Sequence, residues 1–217
     1  MNLSPVARRR IGALIVFLLA LSPSGSLLAQ GKPTTRQPAP APALLISAIA
    51  GQTVPILPLT YLVVDDSIHD AAMPAGRAAL VAWADSIVTE EIVARAPEVT
   101  WLLGPALRRK VRAAPGMLPE PERFGQAGLR FENVKRLPDP LFSYLRTLVA
   151  LANGRLVLAP ASVRLTVSAG GVRAETMFVL ADARSGTVIW RSLPVAMAPT
   201  AAAAIKATVD HILPDAR

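Results

Sequence analysis

LADARSGTVIWR, from Leu180 to Arg191, crowds an acid (Asp182), two bases (Arg184, Arg191), a serine (Ser185) and a tryptophan (Trp190) into one short stretch. It looks at first like a chemical site. Its spacing points to a β-hairpin. The flanking runs, Val172 to Ala183 and Thr187 to Leu193, are rich in the β-branched and aromatic residues that suit strands. Gly186 supplies the positive φ that a tight hairpin loop needs. Asp182 or Ser185 can bond the backbone of the turn itself. Ser185 has no base near it in sequence, and Trp190 is expected to pack a sheet face.

The neighbouring segments extend the pattern in both directions. Arg155 to Val167 reads as a strand with a break near Pro160, and Ser168 to Gly171 as a turn. Leu141, Leu145, Leu148 and Ala152 fall on one face of a helix that Asp139-Pro140 starts and Asn153-Gly154 ends. Met117 to Pro138 is rich in proline and glycine and reads as irregular. A basic helix covers Ala106 to Ala113, with Leu107 and Val111 inward, after a short strand over Glu98 to Leu103. Arg77 to Arg95 is the first long helix: Leu80, Trp83, Ala84, Ile87, Val88 and Ile92 form its apolar stripe, and Asp85, Glu90 and Glu91 lie off it. Thr53 to Asp66 reads as one apolar strand disturbed by Pro55 and Pro58. An alanine-rich helix over Thr200 to Leu213 closes the chain. This order predicts a single α/β (α+β) domain over residues 44–217. Its sheet is mixed and mostly antiparallel, with helices packed on it.

The amino terminus reads differently. Arg8, Arg9 and Arg10 precede an apolar run from Ile11 to Leu21, then Ser22-Pro23-Ser24-Gly25 and a small residue at Ala29. That order is a secretory signal, residues 1–29, cut after Ala29. The run is shorter than the ~20 residues a membrane-spanning helix requires; a retained single-pass anchor is the alternative. Residues 30–43, Pro/Ala-rich, form an extended linker. The expected location is the periplasm or outside the cell, with the membrane met only transiently, through the signal.

The chain has no cysteine, which excludes disulfides, thiol catalysis and amino-terminal lipidation. Its 23 Lys+Arg less the three signal arginines leave 20, against 15 Asp+Glu. That net of +5 is carried by residues 105–136 alone. An exported protein meets little nucleic acid, so the expected partner is an envelope protein or an anionic envelope component. Arg108, Arg109, Lys110 and Arg112 are the candidate contact. The bland reading of these four is the solvated outer face of a docked helix.

No G-x-S-x-G, S-x-x-K, phosphate-loop or dinucleotide motif is present. Asp65 and Asp66 are adjacent on a strand end and point apart. Glu90 and Glu91 are neighbours on a helix surface. His69, with Asp66 and Asp70, is the one loop that suits a hydrolase, and a solvated loop is the plainer account of it. His211 suits a helix carboxyl terminus. No cofactor and no metal are called for, and the expectation is a non-catalytic binding or assembly module.

The hairpin pattern D-x-R-x-G-x-V-x-W (Asp182, Arg184, Gly186, Val188, Trp190), followed by an alanine-rich helix, resembles exported bacterial α/β domains. Those include the TolB amino-terminal domain and the CsgG- and LpoB-like envelope proteins. The resemblance implies a periplasmic binding module and carries over no catalytic residue. The chain departs from the CsgG- and LpoB-like pattern in lacking a lipidated cysteine.

Overall fold

A computed structural model describes residues 41–214. The expected signal and most of the linker lie outside the described residues. β1 (Thr53–Pro55) pairs parallel with β3 (Thr100–Leu102), and a parallel bridge between Ile56 and Leu158 joins that pair to β4 (Leu156–Ser168). β2 (Leu62–Val64) runs parallel to the later half of β4. β4, β5 (Gly171–Asp182) and β6 (Thr187–Ser192) follow as antiparallel neighbours, and β7 (Val195–Ala198) pairs with the first half of β5. The sheet is mixed and mostly antiparallel, as the element order predicts.

Three features of the strands differ from the sequence reading, each for a local reason. The expected strand over Thr53 to Asp66 is two strands with an outlooped segment between them. Pro55 and Pro58 have no N–H to give the ladder. The Leu59 N–H donates to Asp85 Oδ1 at 2.7 Å, and the Pro58 carbonyl accepts from Gln126 Nε2 at 2.9 Å. Side chains here replace the missing strand partners.

The expected break at Pro160 is a bulge. Pro160 faces Phe178 and Ser162 faces Met177, leaving Ala161 extra. The added residue reverses the phase of β4. Val157, Ala159 and Ala161 face one core, whereas Val163 and Leu165 face the other. Finally, the strand expected to stop at Leu193 resumes past Pro194 as β7.

The helices cover both sides of the sheet. α1 (Arg77–Arg95) and α4 (Ala201–Ile212) bury Ala84, Ile87, Val88, Ile92, Ala204, Ile205 and Val209 against Leu158, Val163, Leu165, Phe178 and Leu180. Thr208 Oγ1 lies 2.8 Å from Thr176 Oγ1 across this interface and 2.7 Å from the Ile205 carbonyl, so both buried hydroxyls have hydrogen-bond partners. α2 (Gly104–Arg112) and α3 (Leu141–Ala152) bury Leu107, Val111, Leu141, Leu145 and Leu148 on the other side. The irregular Met117–Pro138 stretch adds Phe124, Leu129 and Leu137 to that second core. α3 ends on Asn153 at φ 52, as Asn-Gly predicts. Its bounds are those expected, but its cap is not: the N-cap is Pro140, and Asp139 accepts from Ser143 Oγ at 3.0 Å.

Candidate functional site

The LADARSGTVIWR stretch is a hairpin whose polar groups are all spent on the fold. Asp182, 3% exposed, accepts Arg155 Nε at 2.8 Å and the Arg184 and Ser185 amides at 2.9 and 3.2 Å. Burial works to raise its pKa. The Arg155 hydrogen bond and the two amides outweigh that and hold the carboxyl below its ordinary value. Arg184 Nη2 donates to the Gly154 carbonyl, Arg191 to the Leu129 and Val134 carbonyls, and Trp190 Nε1 to the Ala43 carbonyl. Gly186 sits at φ 72, as its turn requires.

The loop after β2 is likewise committed. Asp65 Oδ1 accepts from the Ser67 amide and hydroxyl. Asp70 accepts the Ala72 amide and, through its other oxygen, the first amide of α4 at Ala201 (3.0 Å). His69 is exposed. The shallow depression beside this loop, about 210 Å³, is lined by Asp66, Arg77 and apolar residues of β2 and α1. Among the described residues, no three His, Asp or Glu side chains stand close enough together to hold a metal ion. No helix among them is long and apolar enough to cross a membrane.

A larger concavity, about 890 Å³, lies past the carboxyl ends of β1 and β3, between α1 and α2. The chain leaves β2 for α1 on one side and leaves β3 for α2 on the other. Such divergence at the carboxyl ends of parallel strands opens a crevice in α/β sheets. The outlooped Pro58–Thr60 backbone forms one wall. Ala78, Val81, Ala82, Asp85, Ser86 and Thr89 of α1 form a second, and Leu103, Gly104, Pro105 and Arg108 with Glu122 a third.

Asp85 is a part-buried carboxyl on the groove wall. Burial pushes its pKa above the ordinary carboxylate range, the Leu59 amide opposes this, and the Glu122 charge adds to the rise while Arg108 opposes it. A carboxyl with a raised folded pKa favours folding below its unfolded pKa and loses that contribution as pH rises through the folded value. Asp85→Asn keeps an acceptor oxygen for Leu59 and carries no charge. It is therefore expected to match the wild type in acid and to exceed it in stability at neutral pH, as read by urea midpoints at the two pH values. A wild type as stable as the variant at neutral pH would show that the Asp85 charge has no such cost.

The four candidate cations of α2 divide by position. Arg108 lies over the start of its own helix, where positive charge is disfavoured, and Glu122 pairs with it at 2.6 Å. Lys110 Nζ donates to the Leu151 carbonyl at the end of α3 (3.2 Å). Arg112 meets Glu120 at 3.2 Å in an exposed pair of the kind worth ~0–1 kcal/mol. Arg109 is exposed. Arg108 thus lines the groove, and Arg109 and Arg112 stand on the solvent side of its wall. The sequence reading found this helix but missed the groove, because Asp85 was read as one more charge off the apolar stripe. The signal was present: a strand containing two prolines needs polar side chains from elsewhere.

Neither a protein-family model nor a curated protein sequence matches the chain. Among solved structures it is similar to the PelC dodecamer from Paraburkholderia phytofirmans: 14% identity, covering 81% of this chain and 92% of that one, TM-score 0.39. It is similar to lipoprotein GNA1162 from Neisseria meningitidis at 12% identity, over 69% and 82% of the two chains, TM-score 0.35. The hypothetical protein CT253 from Chlamydia trachomatis follows at 12% identity, over 67% and 71%, TM-score 0.34. At TM-scores below 0.5 these likenesses carry no argument about what the chain does.

Proposed function

We propose that this chain is a non-catalytic binding module of the bacterial cell envelope, and that the groove between α1 and α2 holds an apolar segment of a partner protein. The observation that supports this reading is the groove's composition. Pro58, Leu59, Ala78, Val81, Ala82, Leu103 and Pro105 give it more apolar than polar surface, and of the polar residues among them, which include Arg77 and Glu90, Asp85 is engaged by the Leu59 amide and Arg108 by Glu122. It offers apolar area and shape, as binding clefts do, rather than a free nucleophile beside a base. Arg109 and Arg112, outside the wall, suit an acidic flank on that partner.

The test separates the two surfaces. Ala82 is an exposed α1 position on the groove wall, so Ala82→Trp fills the groove at a stability change of roughly 0.5 kcal/mol or less. Arg109→Glu with Arg112→Glu reverses the outer flank and leaves the Arg108–Glu122 pair intact. In affinity capture from envelope extracts, a partner held by the wild type is expected to be lost with Ala82→Trp and weakened by the double variant. Equal capture by Ala82→Trp and the wild type would remove the groove from the reading.

A further inference from the structure

The outer edge of β6 and β7 carries an inference independent of the groove. From Trp190 to Ala198 the two strands keep one register against β5. Trp190 faces Leu180, Ser192 faces Phe178, Val195 faces Glu175 and Ala198 faces Val172. Between them, the Thr176 N–H donates to the Pro194 carbonyl at 3.2 Å. That pair is hydrogen-bonded, so the alternation of an antiparallel ladder turns the N–H and C=O of Leu193, Val195 and Met197 away from β5. Near Thr187 the same edge is covered: the Val188 N–H donates to the Lys135 carbonyl, and the Leu137 N–H to the Gly186 carbonyl. Among the described residues, no strand pairs with the edge from Leu193 to Met197.

The side chains on this edge are as unprotected as its backbone. Leu193, Val195 and Met197 share one face and are 38%, 40% and 53% exposed. Edge strands that remain single usually carry a charge, an outward proline or a bulge. Leu193 to Ala198 has no charge, and Pro194 directs its missing N–H inward, toward β5. The bulge falls earlier, at Ile189.

We propose that this edge pairs antiparallel with the same edge of a second copy, about a two-fold axis at Val195. In that register Val195 meets Val195 of the second copy, and Leu193 meets Met197 of the second copy. The outward groups of the three positions then make about six main-chain hydrogen bonds. Every cross-strand side-chain pair is apolar. The charges beside them on that face are engaged within the subunit: Arg173 and Glu175 of β5 pair with each other at 2.5 Å, and Arg191 of β6 donates to the Leu129 and Val134 carbonyls. The match also limits itself: one step further Arg191 meets Pro199 of the second copy, which has no N–H to give. This self-matching is what an isologous interface requires, and a strand from an unrelated protein has no need of it.

Sedimentation velocity on the purified protein tests the pairing. The wild type is expected to run as a dimer. Val195→Lys sets two cations against each other at the axis and is expected to halve the mass, with an unchanged circular dichroism spectrum, since Val195 lies outside the core. An equimolar mixture of Val195→Lys and Val195→Glu is expected to restore the dimer. A wild type that stays monomeric at every concentration overturns the proposal, as does a dimer that persists in Val195→Lys alone. A Lys/Glu mixture that stays monomeric removes the Val195-centred register.

Discussion

Gly171→Ala is expected to lower the stability of this protein by about 3–5 kcal/mol, more than most single surface changes. Gly171 opens β5 at φ 123, a conformation that residues with a side chain avoid. A Cβ there would also meet the Ala198 carbonyl oxygen at 2.4 Å and Pro199 Cα at 3.0 Å. Both neighbours are backbone, so no side chain can swing aside. To make room, the end of β7 must leave β5, and α4 follows directly after β7. The effect is read as a lower urea midpoint. A loss below about 1 kcal/mol would mean that the outer strand gives way freely.

Phe124→Ala is expected to cost about 3–5 kcal/mol, the usual range for truncating a fully buried phenylalanine. The ring is fully buried and lies 5.5 Å from the Tyr144 ring. It anchors the long connection between α2 and α3. Two residues before it Glu122 pairs with Arg108, and two residues after it Gln126 holds the Pro58 carbonyl. Release of this anchor should therefore reach the groove as well as the core. Asp85 would be less buried, and its pKa, followed by carboxyl NMR, is expected to fall toward the ordinary value. Proteolysis is expected to begin between Ala113 and Pro140. Phe124→Leu, which keeps most of the volume, is expected to lose far less on each readout. Equal losses for both variants would mean that the ring's packing is not what holds the connection.

Much of the fold was legible because local chemistry decided it. α1 and α3 have the bounds that their apolar spacing and stop signals predict. The Leu180–Arg191 hairpin follows from an aspartate and a glycine at turn positions. What escaped the sequence reading depends on contacts between distant residues. The interruption after Pro55 is set by Asp85, on a helix further along the chain, and by Gln126, further still. The bulge at Ala161 reverses a phase that simple alternation carries straight through. β7 was hidden because Pro194 looks like an end, although a proline costs a strand only one donor. The groove combines the first of these features with the divergence of α1 and α2, so no single segment announced it. Of the candidate residues, Arg108 reached the groove, and the cations beside it belong to the outer surface.

α4 has a consequence for how the protein is made. Its first amide is held by Asp70, and the carbonyl of its last residue, Ile212, accepts from the Leu44 amide. Between those ends it covers the sheet face bearing Phe178, Val163 and Leu165. A nascent chain that has emerged only as far as Thr200 has every described strand and α1, but lacks the share of this cover that α4 provides. It presents a broad greasy surface of the kind that holding chaperones bind. Folding is thus expected to finish only once this late helix has been made.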